Sequence, residues 1–135
     1  FDMINNKVGE HRLVFLVHGG IDTEDREKAR RIAETTHDSI IVASYGTFST
    51  GINIRNLHNV VFASPSKSKI RNLQSIGRVL RKGDHKTKAV LYDIADDTSR
   101  GSRNNYTLNH LIERVKIYNE ENFNYEFIDV RIKDK

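Results

Sequence analysis

Gln74, Arg78 and Arg81 are spaced four and three residues apart, so on a helix one amide and two guanidiniums share a single face. Lys67 and Arg71 continue that face toward the amino terminus, one turn at a time. Ile70, Leu73, Ile76, Val79 and Leu80 take the other side, the pattern of an amphipathic helix laid on a core. Between Ser64 and Gly83 there is no carboxylate. A face of one sign meets an anion, and a rigid guanidinium fork matches phosphate oxygens two at a time. Phosphate binding, or stabilisation of a phosphoryl group in transfer, is the chemistry these residues support. On these residues alone a plain solvated face, with Lys67, Lys69 and Arg71 as solubility charges, remains the alternative.

The elements that must hold this face alternate along the chain. Residues 12–17 form a near-continuous apolar run, the pattern of a strand buried on both faces, and end at His18, Gly19 and Gly20. Asp22 is placed to cap a helix through about Glu34, with Asp25 three residues on in a capping-box arrangement. Residues 39–43 and 59–63 read as two further buried strands, separated by a polar loop, 44–53, with room for one helical turn. Pro65 closes the third strand, and the basic helix runs from about Lys67 to Leu80 before Lys82 and Gly83 stop it. Residues 88–94 are a fourth strand. A helix with Leu108, Leu111, Ile112, Val115 and Tyr118 on one face follows, and residues 123–132 read as a last strand.

Alternating strands and helices specify an α/β domain with a parallel sheet flanked by helices. Ligands of such sheets meet the loops at the carboxyl ends of the strands. Here those loops are 18–20, 44–53, 64–69 and 93–97, so the informative segments converge on one edge. Asp93, Asp96 and Asp97 lie there too, and capping of a polar loop is the expected role over metal binding. His18 is expected to be a structural strand-end residue.

The chain has 135 residues, 22 Lys and Arg against 18 Asp and Glu, and a net charge of +4. That length makes one modest domain, and the mild basic bias suits a nucleic-acid or nucleotide partner. With no cysteine there is no disulfide framework and no thiolate metal site. The six histidines have no short ligand spacing, so no zinc site is expected. No run approaches a membrane span, and an intracellular, cytoplasmic chain without membrane contact is expected. Phe1 to Ile4 read as the tail of an amphipathic helix, which gives the expectation of a partial domain over residues 1–135 whose first strand lies before Phe1.

Ala43 and Ser44, then Thr50, Gly51, Ile52 and Asn53, followed by Gln74, Gly77, Arg78 and Arg81, resemble motifs V and VI of superfamily-2 helicases. His18 to Gly20 followed by Arg26 is similar to the preceding strand-loop-helix of the same second RecA-like domain. Within that family, residues 41–51, 67–70, 74–82 and 121–125 resemble bacteriophage members. Two motifs in order on the right elements make the resemblance specific. It implies a fold in which two RecA-like domains clasp ATP, with nucleic acid lying across both.

The resemblance implies that Arg81 reaches the γ-phosphate as an arginine finger, with Arg78 as its companion and Gln74 orienting the nucleotide or the arginines. Such a finger is worth roughly a thousandfold or more in rate. Gly51 and Asn53 would approach the nucleotide, Asn53 standing where many members have aspartate. Ser44, Thr50, Gly19, Arg26, Lys67 and Arg71 would meet the nucleic-acid backbone. The partners implied are DNA, branched or single-stranded, or an RNA–DNA hybrid, together with an N-terminal RecA-like domain. ATP and Mg²⁺ would be held mainly by that first domain, because this sequence has neither G-x-x-x-x-G-K-[ST] nor an Asp-Glu box after a strand. The chain is therefore expected not to hydrolyse ATP alone. Its function would be that of a motor domain acting on branched DNA or R-loops in fork processing, recombination and repair. A non-catalytic nucleic-acid-binding or annealing module is the alternative. A dinucleotide-binding Rossmann enzyme is set aside, since no G-x-G-x-x-G follows the first strand.

Overall fold

The structure is a computed structural model that describes residues 1–49, 54, 57–63, 89–98 and 105–132. Thr50, Gly51, Asn53, Lys67, Arg71, Gln74, Arg78 and Arg81, and with them the basic helix, lie outside the described residues. The described elements run α1 (Asp2–Val8), a 3₁₀ turn (Gly9–His11), β1 (Val14–Val17), α2 (Thr23–Thr35), β2 (Ile40–Ala43), α3 (Tyr45–Ser49), β3 (Asn59–Phe62), β4 (Val90–Asp93) and α4 (Tyr106–Glu120).

The expected parallel α/β architecture is present as two parallel strand pairs. β1 pairs with β2, Val14 opposite Ile40 through Val17 opposite Ala43. β3 pairs with β4, Asn59 opposite Val90 through Phe62 opposite Asp93. Parallel neighbours need a crossover, and α2 supplies it between β1 and β2 while packing on β1. The β-branched and aromatic content of Val14, Phe15, Ile40, Ile41, Val60 and Val61 is what makes these short runs strands.

Burial is one-sided where the apolar runs imply two covered faces. Leu16, Val61 and Tyr92 are exposed, while Val17 and Phe62 are buried. The covered face of β3 and β4 meets α4: Phe62, Ile117 and Tyr118 form the cluster, with Tyr45, Val60, Leu91, Val115 and Phe123 against it. Tyr45, just after β2, stacks obliquely on Phe62 at 5.7 Å and ties the two strand pairs together at their carboxyl ends.

α4 also departs from its apolar pattern. Ile112 is exposed, and the buried positions are Arg114, Ile117 and Tyr118. An arginine enters the core because Asp93, at the end of β4, is there to meet it. Residues 123–132, read from the sequence as a last strand, form no strand among the described residues, since a strand needs a neighbour as well as an alternating sequence. α4 ends in a Schellman turn. Asn122 is left-handed (φ 55), its N–H donates to the Asn119 carbonyl, and the Phe123 N–H donates to the Tyr118 carbonyl at 2.9 Å. The ring of Phe123 then packs on Tyr118, 6.2 Å between centroids.

Candidate nucleic-acid interface

Three of the candidate residues lie within the described structure, and the fold brings them to one edge. The β1–β2 ladder is extended by one bond, Ser44 N–H to the Val17 carbonyl at 3.2 Å, so Ser44 sits beside the peptide that opens the His18–Gly20 turn. That turn is closed by Ile21 N–H donating to the His18 carbonyl at 3.1 Å and delivers the chain to Asp22. The Asp22 carboxylate caps α2 by accepting from Thr23 N–H at 2.6 Å. Asp25, expected to close a capping box, makes no reciprocal bond among the described residues. Arg26 follows within the first turn, its backbone N–H donating to the Asp22 carbonyl. Gly19, Ser44 and Arg26 are thus consecutive stations along the carboxyl edge of β1 and β2.

The two glycines of the turn are not equivalent. A side chain at Gly20 would meet the His18 ring, 3.1 Å from Cε1 and 3.2 Å from Nδ1. The Gly20 N–H donates to His18 Nδ1 at 3.1 Å, which fixes the ring over the backbone and requires an unprotonated Nδ1. At Gly19 no described atom lies within 4 Å of where Cβ would be. Packing of the described residues therefore does not require glycine at 19, and no described atom shields the exposed backbone there.

Arg26 is half-buried, with Nη2 3.3 Å from the Thr23 hydroxyl and with a buried Nε that has no partner among the described residues. No described carboxylate pairs with it. Its neighbours on α2 are treated differently. Arg30 is held by Glu27 and Glu34, and Arg31 also reaches Glu27. The Glu27 hydrogen bond raises the Arg30 pKa, and the same bond lowers the Glu27 carboxyl below its usual range.

Ser44 is exposed, and its hydroxyl lies 2.9 Å from Thr47 Oγ1 at the start of α3, with Thr47 N–H donating to the Ser44 carbonyl. It therefore serves as a helix-start residue and, with one donor and two acceptor positions on the oxygen, keeps capacity for a backbone phosphate.

Of the three aspartates expected to cap the loop after β4, Asp93 has another role. Arg114, 2% exposed, forks onto Asp93 with Nε–Oδ2 2.7 Å and Nη2–Oδ1 2.9 Å, and the Tyr118 hydroxyl donates to the same carboxylate at 2.6 Å. Burial pushes the Tyr118 phenol pKa well up, and the adjacent Asp93 adds to the shift. The backbone carbonyl of Asp96 accepts from Asn105 Nδ2 and from the Thr107 hydroxyl, so the loop leaving β4 is bound to α4 at both ends. The available signal was an arginine inside the apolar face of a helix and an aspartate ending an apolar strand. Among the described residues no group of three or more His, Asp or Glu side chains is placed to hold a metal ion. No described helix is long and apolar enough to cross a membrane.

Residues 2–83 match the helicase conserved C-terminal domain. Over 93% of its length the chain is 45% identical to the ATP-dependent DNA helicase uvsW of Enterobacteria phage T4, of which it covers 26%. It is 29% identical over 94% of its length to a protein described as an ATP-dependent RNA helicase from Acanthamoeba polyphaga mimivirus, covering 24% of that protein. The chain thus spans about a quarter of the length of these curated relatives. No solved structure matches it.

Proposed function

Since the chain belongs to the helicase conserved C-terminal domain family, we propose that it is the second RecA-like motor domain of an ATP-dependent DNA helicase acting on branched DNA or R-loops. The observation that carries this reading is the convergence of Gly19, Ser44 and Arg26 on one strand edge, with no described atom against Gly19 and no described carboxylate on Arg26. That edge contacts the phosphate backbone of the bound strand, independent of sequence and sensitive to salt. The higher identity to a relative named as a DNA helicase favours DNA over RNA.

In this reading Arg81 and Arg78 reach the triphosphate held by a first RecA-like domain, with Gln74, Gly51 and Asn53 beside it. ATP with Mg²⁺ supplies the phosphoryl group whose transfer to water drives the cycle. Thr50, Lys67 and Arg71 extend the backbone grip. Closure of the two domains completes the site, hydrolysis reopens it, and alternating grips move the protein along the strand.

The test has two arms. Binding of single-stranded DNA by this chain, measured against salt, is expected to weaken in Gly19→Val and Arg26→Gln, with the salt slope falling by about one for the lost phosphate contact of Arg26. DNA-stimulated ATP turnover by the full-length protein is expected to collapse in Arg81→Lys, because an ammonium keeps the charge and loses the fork. Wild-type slopes in both binding variants would remove the edge from the reading. Turnover indifferent to Arg81 would leave a binding or annealing module.

A further inference from the structure

The His18 imidazole stands on the same strand edge as Gly19, Ser44 and Arg26, and the grip described above makes no use of it. Its Nδ1 accepts the Gly20 N–H at 3.1 Å, so the neutral ring carries its proton on Nε2. The Nδ1–Cε1 edge of the ring is the one turned to Gly20, where a Cβ would lie 3.1 Å from Cε1 and 3.2 Å from Nδ1. The Nε2–H therefore points away from the Gly20 backbone. Among the described residues no hydrogen bond engages Nε2, and His18, Gly19 and Gly20 are all exposed.

Two features fix this pose. The hydrogen bond selects one tautomer, and the lack of a side chain at Gly20 makes room for the ring. Holding the turn needs only an acceptor at residue 18. Asparagine would supply one, since its side-chain oxygen takes the N–H two residues on in an Asx turn. An imidazole in that place adds a second polar atom, a donor, on the side away from the turn. That donor belongs to the residue before Gly19, at the end of the strand whose last carbonyl, that of Val17, binds the Ser44 N–H. Side-chain and backbone donors gathered on one edge suit phosphate oxygens, which position a strand without reading its bases.

We infer, resting on the reading of this edge as the nucleic-acid contact, that His18 is a further binding residue: its neutral imidazole donates Nε2–H to a phosphate oxygen of the bound strand while Nδ1 holds the turn. Its contribution differs in kind from that of Arg26. A neutral donor fixes where the phosphate sits and displaces no counterion, whereas the guanidinium adds charge and displaces one.

Binding of an oligothymidylate by the full-length protein, titrated over a range of salt, tests this. His18→Asn keeps an acceptor for the Gly20 N–H and lacks the outward donor. It is expected to melt with the wild type yet bind roughly tenfold more weakly. His18→Gln carries amide N–H groups at about the reach of Nε2 and is expected to bind close to the wild type. His18→Ala lacks both functions and is expected to bind no better than His18→Asn. All three should keep the wild-type salt slope, whereas Arg26→Gln lowers it by about one. Wild-type affinity in His18→Asn would overturn the inference and leave His18 a holder of the turn. So would a His18→Gln that binds no better than His18→Ala, or a slope that falls by about one in His18→Asn, the mark of a charged imidazole. Wild-type affinity and slope in Gly19→Val and Arg26→Gln would instead remove the edge reading, so the two failures are read on different variants.

Discussion

Replacing Arg114 with methionine removes the cation from the Asp93–Arg114–Tyr118 cluster while keeping an unbranched side chain of similar reach. Arg114 is 2% exposed and the Asp93 side chain 10%, so the ion pair is shielded from water. The substitution deletes two charge-assisted hydrogen bonds, at 2.7 and 2.9 Å, each worth roughly 1.5–3 kcal/mol. It strands the Asp93 carboxylate with the Tyr118 hydroxyl as its remaining described partner. Breaking a buried pair in this way costs about 3–5 kcal/mol. At about 2.1 cal/mol/K per residue, unfolding 135 residues carries an entropy of roughly 0.28 kcal/mol/K, which converts that loss into a fall in Tm of about 10–18 °C. Adding Asp93→Asn removes the stranded charge and keeps an acceptor for Tyr118, so the double variant should recover a substantial part of the loss. Thermal unfolding followed by circular dichroism reads both. If Arg114→Met melts within about 3 °C of the wild type, or the double variant is worse than the single, the ion pair does not hold α4 on β4 as argued.

The raised Tyr118 pKa makes stability pH-dependent at the alkaline end. Folded Tyr118 holds its proton above the ordinary tyrosine value of about 10, where the unfolded chain gives it up, so its contribution is full below pH 10 and declines as pH rises further. Denaturant melts at pH 9 and pH 11 should show a drop for the wild type that is smaller in Tyr118→Phe, and equal drops would reject the assignment. At the turn after β1, Gly20→Ala must shift the His18 ring by a few tenths of an ångström, straining its hydrogen bond, and should cost on the order of 1 kcal/mol, whereas Gly19→Ala meets no described atom and should melt like the wild type. Paired melting curves decide this, and equal effects at the two glycines would refute the distinction between them.

Much of the α/β architecture was legible because its signals are local. The apolar runs at residues 12–17, 39–43, 59–63 and 88–94 all produce strands, each shorter than its run. Asp22 caps the helix it precedes, as its position implies. Trimming follows from pairing, because a residue counts as strand only where a neighbour supplies the ladder. The edge loops of β1 and β2 were also legible, since a strand followed by glycines, or by Ser44, must place those residues at its carboxyl end.

The candidate residues Gly19, Ser44 and Arg26 were named by type and spacing, but their adjacency depends on β1 lying beside β2 in a particular register. Nothing in the sequence distinguishes Gly19 from Gly20. The difference comes from which way the His18 ring folds, and that is a matter of three-dimensional contact. Arg114 shows the same limit. Helical periodicity puts it on the face with Leu111, Ile117 and Tyr118, where its charge argues for exposure. Only the arrival of Asp93 from 21 residues away makes its burial tolerable. Strand and helix content and the cap at Asp22 were therefore determined by the sequence itself, through propensities and periods acting over a few residues. Which strand faces are covered, which arginine is buried and which glycine is free were decided by tertiary structure, because burial, desolvation and pairing depend on partners distant in the chain.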